Sequence, residues 1–185
     1  MDRRQQKTRA AIFRAFGILL ERKNYNHITV QEIIDEANIG RSTFYAHFET
    51  KDELLRAMCT DIFHHVFSEE PSREKSHNFS TGNYNIEQKI SHILYHLQDN
   101  RKNLKGILSS ESGELFLQYF RQYLSEMFRD YIISQKLPAP QEYVQNHVVC
   151  SFAETVRWWI TEHSSYEPEE VTSFFLSAIP DGVFH

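Results

Sequence analysis

The chain has 185 residues, 20 Lys and Arg against 25 Asp and Glu for a net charge of −5, with 41% hydrophobic and 24% charged residues, proportions that exclude whole-chain disorder. Six Gly and five Pro exclude collagen-like and turn-rich all-β classes, and the two cysteines, Cys59 and Cys150, are too few for a disulfide framework or a four-Cys zinc site. No apolar run approaches the roughly 20 residues that span a bilayer, and the opening Met-Asp-Arg-Arg-Gln-Gln-Lys lacks the apolar stretch of a secretion signal, so a soluble, cytoplasmic protein is expected.

Helical periodicity dominates and no convincing alternating strand is present, so the expected class is all-α. The first helix, about residues 3–23, sets Ile12, Ala15, Phe16, Leu19 and Leu20 on one stripe, and residues 1–23 are basic, with seven Lys and Arg against two acids for a net +5. Asn24-Tyr25-Asn26-His27 ends it. Thr29-Val30-Gln31-Glu32 then forms a capping box, in which the Thr hydroxyl accepts from the third amide while Glu32 reaches back to the cap. The short helix it opens buries Ile33, Ile34 and Ala37 and closes at Asn38 and Gly40, residue types that tolerate a left-handed turn. A third short helix, about 41–47, buries Phe44 and Phe48. A second capping box, Thr50-Lys51-Asp52-Glu53, opens a helix carrying Leu54, Leu55, Met58, Ile62 and Phe63. Two short helices joined by a tight turn are the helix-turn-helix arrangement.

Residues 68–83 are polar, contain Pro71 and Gly82, and read as a long loop or boundary. Amphipathic helices follow at roughly 84–100, 103–111, 114–134, 140–164 and 167–179. Pro138 and Pro140 break the chain before the fourth of these, and Pro168 sits in the first turn of the last. The expected division is a helix-turn-helix domain at 1–49, a connecting helix at 50–67 and a helical body at 68–185. The body is acidic: residues 1–56 carry net +2, leaving −7 for the rest. A basic head on an acidic body points to a polyanion at one end.

The stretch from Thr29 to Leu55, with its Thr at the start of helix 2, Ala37 before the turn, Thr43-Phe44-Tyr45 in the next helix, the His47-Phe48 pair and Thr50-Lys51-Asp52-Glu53-Leu54 opening helix 4, resembles the DNA-binding domain of TetR-type transcriptional regulators. The motif covers roughly residues 5–66. The resemblance implies a DNA-binding regulator rather than an enzyme, a C-terminal helical ligand pocket, and a homodimer formed by the last two long helices.

Elementary geometry supports the same reading. With Phe44 and Phe48 four apart and facing inward, Arg41, Ser42, Thr43, Tyr45 and His47 share the remaining surface of a helix that fits the major groove. Arg41 suits bidentate reading of guanine, the Thr43 methyl suits contact with thymine, and Tyr45 and His47 suit phosphates. Thr29 and Lys51 stand at helix N-termini, where amides and the dipole attract phosphate oxygens; Thr29 equally explains itself as a cap alone. Arg3, Arg4 and Lys7 lie where an N-terminal arm could reach the DNA backbone.

In the body, Phe63, Phe67, Ile93, Leu97 and Leu108 are candidates for lining a ligand pocket, together with Phe116, Tyr119, Phe120, Tyr123 and Trp158, which would suit a small apolar or aromatic ligand. Val149, Phe152, Val156 and Trp159 on one helix and Val171, Phe174, Phe175 and Ala178 on the next are candidates for a two-fold four-helix interface. His92 and His96 have a chelating spacing, but no His-Glu-x-x-His pattern or adjacent Cys accompanies them, so no metal is expected. No nucleophile elbow or phosphate loop is present. The expected function is a repressor released from a palindromic operator by a small ligand. The alternative is a constitutive DNA-binding adaptor that recruits a protein partner and senses nothing.

Overall fold

The structure, a computed structural model, describes residues 3–67, 85–109, 113–132 and 139–184, with the side chains of 62 and 64–67 outside the description. The 68–83 boundary and Pro138 therefore lie outside the described residues, as does the expected end of the 103–111 helix. The described helices are α1 Arg3–Arg22, α2 Val30–Ala37, α3 Arg41–Tyr45, α4 Lys51–Phe67, α5 Ile86–Asp99, α6 Arg101–Leu108, α7 Gly113–Arg129, α8 Gln141–Thr161 and α9 Pro168–Ala178. Among the described residues there is no strand, only an isolated antiparallel bridge between Ile132 and Phe184. The class is all-α, as the periodicity requires.

Two compact units divide the chain. The first joins residues 1–62 to 100–116; the second joins 63–99 to 117–185. This differs from a division at residues 49 and 67, because α6 packs along α1. The packing is close enough to require glycine. A Cβ on Gly106 would stand 2.3 Å from the Leu20 carbonyl oxygen, and one on Gly17 would stand 3.1 Å from Asn103 Oδ1. No pattern of apolar residues encodes such an approach, since it depends on the absence of a side chain.

Within the first unit the α1 stripe of Ile12, Ala15, Phe16, Leu19 and Leu20 is buried, together with Ile33, Ile34, Phe44, Phe48, Leu54 and Leu55. The Thr29 box is complete: Thr29 Oγ1 accepts from the Glu32 amide at 3.2 Å, and Glu32 Oε2 accepts from the Thr29 amide at 2.9 Å. At Thr50 only half of the expected box forms. Thr50 Oγ1 accepts from the Glu53 amide at 3.0 Å, while the Glu53 carboxylate accepts from the Glu49 amide at 2.7 Å instead of from Thr50.

In the second unit, Phe120, Phe128, Phe152 and Phe175 form the aromatic centre, with Phe152 and Phe175 ring centroids 4.9 Å apart. Trp159 is wholly buried on α8 and donates its indole N–H to the Tyr166 carbonyl at 2.9 Å, fixing the corner into α9. On α5, Ser91 shares a 3.0 Å hydrogen bond with Thr172 of α9, and Tyr95 donates to Glu169. Pro168 occupies the first turn of α9, where its missing N–H costs nothing.

Candidate nucleic-acid interface

The turn between α2 and α3 is built on Asn38, at φ 51° and ψ 53° and the one non-glycine residue with positive φ among those described. A branched side chain there would clash; Asn adopts the left-handed region at modest cost. Its amide donates back to the Asp35 and Ile34 carbonyls, closing α2. Gly40 then caps α3 in extended geometry. Phe44 is wholly buried and Phe48 nearly so, which fixes the roll of the short α3. Phe13 stacks on Phe48 at 5.9 Å, and Arg9 lies 4.8 Å above the Phe13 ring while bonding Asp61 at 2.8 Å.

With that roll fixed, Arg41, Ser42 and Tyr45 are exposed, and Thr43 and His47 are half-buried. Arg41, Ser42, Thr43 and Tyr45 lie on α3, which ends at Tyr45, short of the expected 47, so His47 stands in the turn that follows. The Tyr45 ring stands edge-on to Phe44 at 5.5 Å, which holds its hydroxyl end outward. Gln31, a residue that the sequence reasoning passed over, positions Arg41: its Oε1 accepts from Arg41 Nη2 at 3.4 Å while its Nε2 donates to Asp35 at 2.9 Å. The available signal was an exposed amide in the first turn of α2 with Asp35 one turn further on.

Two of the expected phosphate ligands are engaged within the protein. Lys51 Nζ donates to the carbonyls of Tyr25 and Ile28, both at 2.9 Å, and lies 4.1 Å from the Tyr25 ring centroid. Burial pushes its pKa below the usual lysine value, against the pull of Asp52. Asp52 accepts from the Tyr25 hydroxyl, and burial first, then that bond, hold Tyr25 well above the usual phenol range. Lys51 and Asp52 thus staple the 25–28 turn to the start of α4, and only one ammonium N–H is left for any other acceptor. Thr29 likewise gives its hydroxyl proton to Glu32 at 2.8 Å. The Glu32 carboxyl is pulled down to about 2, chiefly by its bond to Lys23 and then by Thr29, so it puts a fixed negative charge at this helix start.

Arg3, Arg4 and Lys7 are exposed, but they belong to the first turns of α1 rather than to an extended arm. The basic head is partly neutralised within the protein, with Arg9 paired to Asp61, Arg22 to Glu36 and Lys23 to Glu32.

The cavities lined by Arg121, Gln145 and Val149, by Tyr143, Val144 and Val183, and by Leu20, Lys102 and Gly106 contain none of the ligand-pocket candidates. Leu108 and Phe116 are buried in the first unit, and Ile93, Leu97 and Phe120 in the second. Phe63 stacks on Phe120 at 5.2 Å and lies tilted against Tyr123 at the same distance. Tyr119 is half-buried on α7, and the Phe67 side chain lies outside the described residues. Trp158 is half-buried and stacks on His163 at 4.4 Å and on Tyr166 at 5.9 Å.

The interface candidates need a similar correction. Val149, Phe152, Val156, Trp159, Val171 and Phe175 are buried within their own chain; only Phe174 and Ala178 are exposed. Helical spacing shows which side of a helix is apolar, and here that side is filled by the same chain. The exposed apolar groups near them are Tyr143, stacked on His147 at 6.4 Å, and Phe174, edge-on to Tyr166 at 5.2 Å. No helix among the described residues is long and apolar enough to cross a membrane.

A left-handed turn between two short helices, the second with a buried aromatic spine and an exposed polar side, defines a helix-turn-helix protein, here carrying a second all-α unit. Residues 18–58 match the family described as "Bacterial regulatory proteins, tetR family", and residues 84–181 match "Transcriptional regulator C-terminal region". The chain belongs to the TetR family, whose members are transcriptional regulators and not enzymes. A solved TetR transcriptional regulator from Streptococcus agalactiae is 33% identical over 96% of both chains, with a TM-score of 0.74. An uncharacterized HTH-type transcriptional regulator of Bacillus subtilis, YxbF, is 41% identical over 36% of this chain, and one of Haemophilus influenzae is 33% identical over 59% of it. The chain spans 19% and 58% of the lengths of those two relatives.

Proposed function

We propose that the chain is a homodimeric repressor that places the outer side of α3 in the major groove of a palindromic operator, twice per dimer. The observation that carries this reading is the division of α3. Phe44 is sealed in the core while Arg41, Ser42 and Tyr45 stand in solvent, with the guanidinium held toward α2 by Gln31. An exposed five-residue helix makes too few contacts for a specific site alone. Two of them, about one helical turn of DNA apart, make enough. Arg41 reads a guanine edge, Ser42 and Thr43 adjoin it, and Tyr45, His47, Arg3, Arg4 and Lys7 contact phosphates. Dimerisation uses Phe174 and Ala178 with neighbouring exposed groups of α8 and α9, because the other apolar residues of those helices are already covered. A small ligand releases the dimer by binding better to an arrangement that no longer matches two successive groove faces.

A second reading, the constitutive adaptor that senses nothing, is favoured by two of the expected pocket residues, Phe63 and Phe120, being wholly buried and stacked on each other. In this reading the body recruits a protein partner while α3 binds DNA in the same way.

Selection of bound sequences from random DNA with the full chain tests the DNA-binding reading. A two-fold-symmetric site should be enriched, and Arg41→Ala should cost about 1–3 kcal/mol at one base pair per half-site. Equal loss on selected and random DNA would remove Arg41 from base reading. An asymmetric enriched site would remove the dimer. A small-molecule panel that leaves operator affinity unchanged would favour the adaptor over the ligand-released repressor.

A further inference from the structure

On α5 the imidazoles of His92 and His96 face each other with their Nε2 atoms 3.1 Å apart, ring centroids 4.4 Å apart and ring planes at 82°. His96 is 4% exposed and His92 is half-buried. Neither residue belongs to the DNA-facing side of the first unit, and the α5 contacts that lock this helix to α9 run through Ser91, Tyr95 and Gln98 instead.

We propose that His92 and His96 chelate a divalent transition metal ion of the zinc, nickel, cobalt and copper group. Residues four apart on a helix share one face, the placement that lets two histidines bind a single ion. The distance is consistent with this role. Two nitrogens each about 2.0–2.1 Å from an ion and 3.1 Å from one another subtend about 98° at the metal. That angle lies between the square or octahedral and the tetrahedral values, and so within the range these ions accept. The two ligands on α5 are imidazole nitrogens, which suits ions that favour imidazole and disfavours the oxygen-seeking Mg²⁺ and Ca²⁺.

Without metal the same contact is an N–H···N hydrogen bond, in which one ring carries its proton on Nε2 and the other on Nδ1. Binding requires both Nε2 lone pairs, so in the metal-bound pair the ring that donates in this contact carries its proton on Nδ1 instead. Among the described residues no group of three or more His, Cys, Asp or Glu gathers around a common point.

The test is isothermal titration of the full chain with Zn²⁺, and with Ca²⁺ as the oxygen-seeking control, on the wild type, His92→Gln, His96→Gln, the double variant and His147→Gln. The last substitution removes an exposed histidine on α8. The wild type should bind one more Zn²⁺ than the double variant. Each single variant at position 92 or 96 should weaken that site by about tenfold or more, since losing a ligand costs at least what losing a ligand's supporting group costs. His147→Gln should leave it unchanged, and Ca²⁺ should not compete. Copper-loaded wild type should show coupling to two nitrogens in its electron paramagnetic resonance spectrum, reduced to one in each single variant. Far-UV circular dichroism of the variants verifies that they remain folded. Equal Zn²⁺ stoichiometry in the wild type and the folded double variant, or no Zn²⁺ uptake by the wild type, would overturn the assignment.

Discussion

Lys51 separates two roles that one side chain could fill, and replacing it with methionine separates them experimentally. Methionine keeps the apolar stem and removes the three ammonium donors. The lost interactions are two charge-assisted hydrogen bonds, to the Tyr25 and Ile28 carbonyls at 2.9 Å, and a cation–π contact at 4.1 Å. Hydrogen bonds to charged groups contribute about 1.5–3 kcal/mol each, and a partly exposed cation–π contact about 0.5–1 kcal/mol. The half-buried position screens these terms, and desolvating the ammonium offsets part of them, so the net loss should be about 2 kcal/mol. In a chain of this size, that lowers the melting temperature by about 4–8 °C. Thermal unfolding followed by circular dichroism measures the stability, and fluorescence anisotropy on nonspecific duplex DNA measures the electrostatic affinity. Lys51→Met should melt lower while leaving the salt dependence of DNA binding nearly unchanged. An unchanged melting temperature with a salt slope reduced by about one unit would put the ammonium on a phosphate and refute the staple.

Gly106→Ala forces a Cβ to within 2.3 Å of the Leu20 carbonyl oxygen; overpacking of about 1–3 kcal/mol exceeds the helix-propensity gain of about 1 kcal/mol, so urea unfolding should show a net loss of up to about 2 kcal/mol, and a more stable variant would show that α6 has room to move off α1. Glu32, held at about 2 in the folded chain against a reference of 4.5, stabilises fully above the reference value and loses its contribution as pH falls from there toward 2. Its side-chain carboxyl resonance should titrate near 2 in the native protein, and a midpoint near 4.5 would remove the Lys23 and Thr29 bonds as its cause. Cys59 is buried, with its thiol pushed up to about 12 by desolvation, whereas Cys150 is half-buried. A thiol reagent at pH 8 should therefore label Cys150 in the native chain and Cys59 only after unfolding, and native labelling of Cys59 would show that the first unit opens readily.

Local chemistry was the most legible part of the sequence. The Thr29 box, the αL turn at Asn38 and the buried spine of Phe44 and Phe48 each depend on residues within a few positions, and all three form. The partners of Lys51 could not be read in the same way, because its acceptor carbonyls lie 23 and 26 residues earlier and every residue has a carbonyl. The apolar stripes of α8 and α9 are legible in the sequence, but periodicity does not say whose core covers them. Val156 and Phe175 show that here it is the chain's own. The aromatic residues of α7 illustrate the converse problem, since a phenyl ring that lines a cavity and one that fills a core leave the same trace in sequence. Gly106 was invisible because only a neighbouring helix, brought in from more than eighty residues away, makes its missing side chain matter.

The pairing of α1 with α6 has a consequence for anyone who would cut the chain. Residues 100–116 belong with the first 62, and Leu104, Ile107 and Leu108 bury themselves there. A fragment ending at residue 67 would leave a greasy strip of α1 bare around Gly17 and Leu20, inviting clumping. Swapping heads between relatives therefore succeeds only if the graft takes both stretches of polypeptide, or if the host supplies its own cover for that strip.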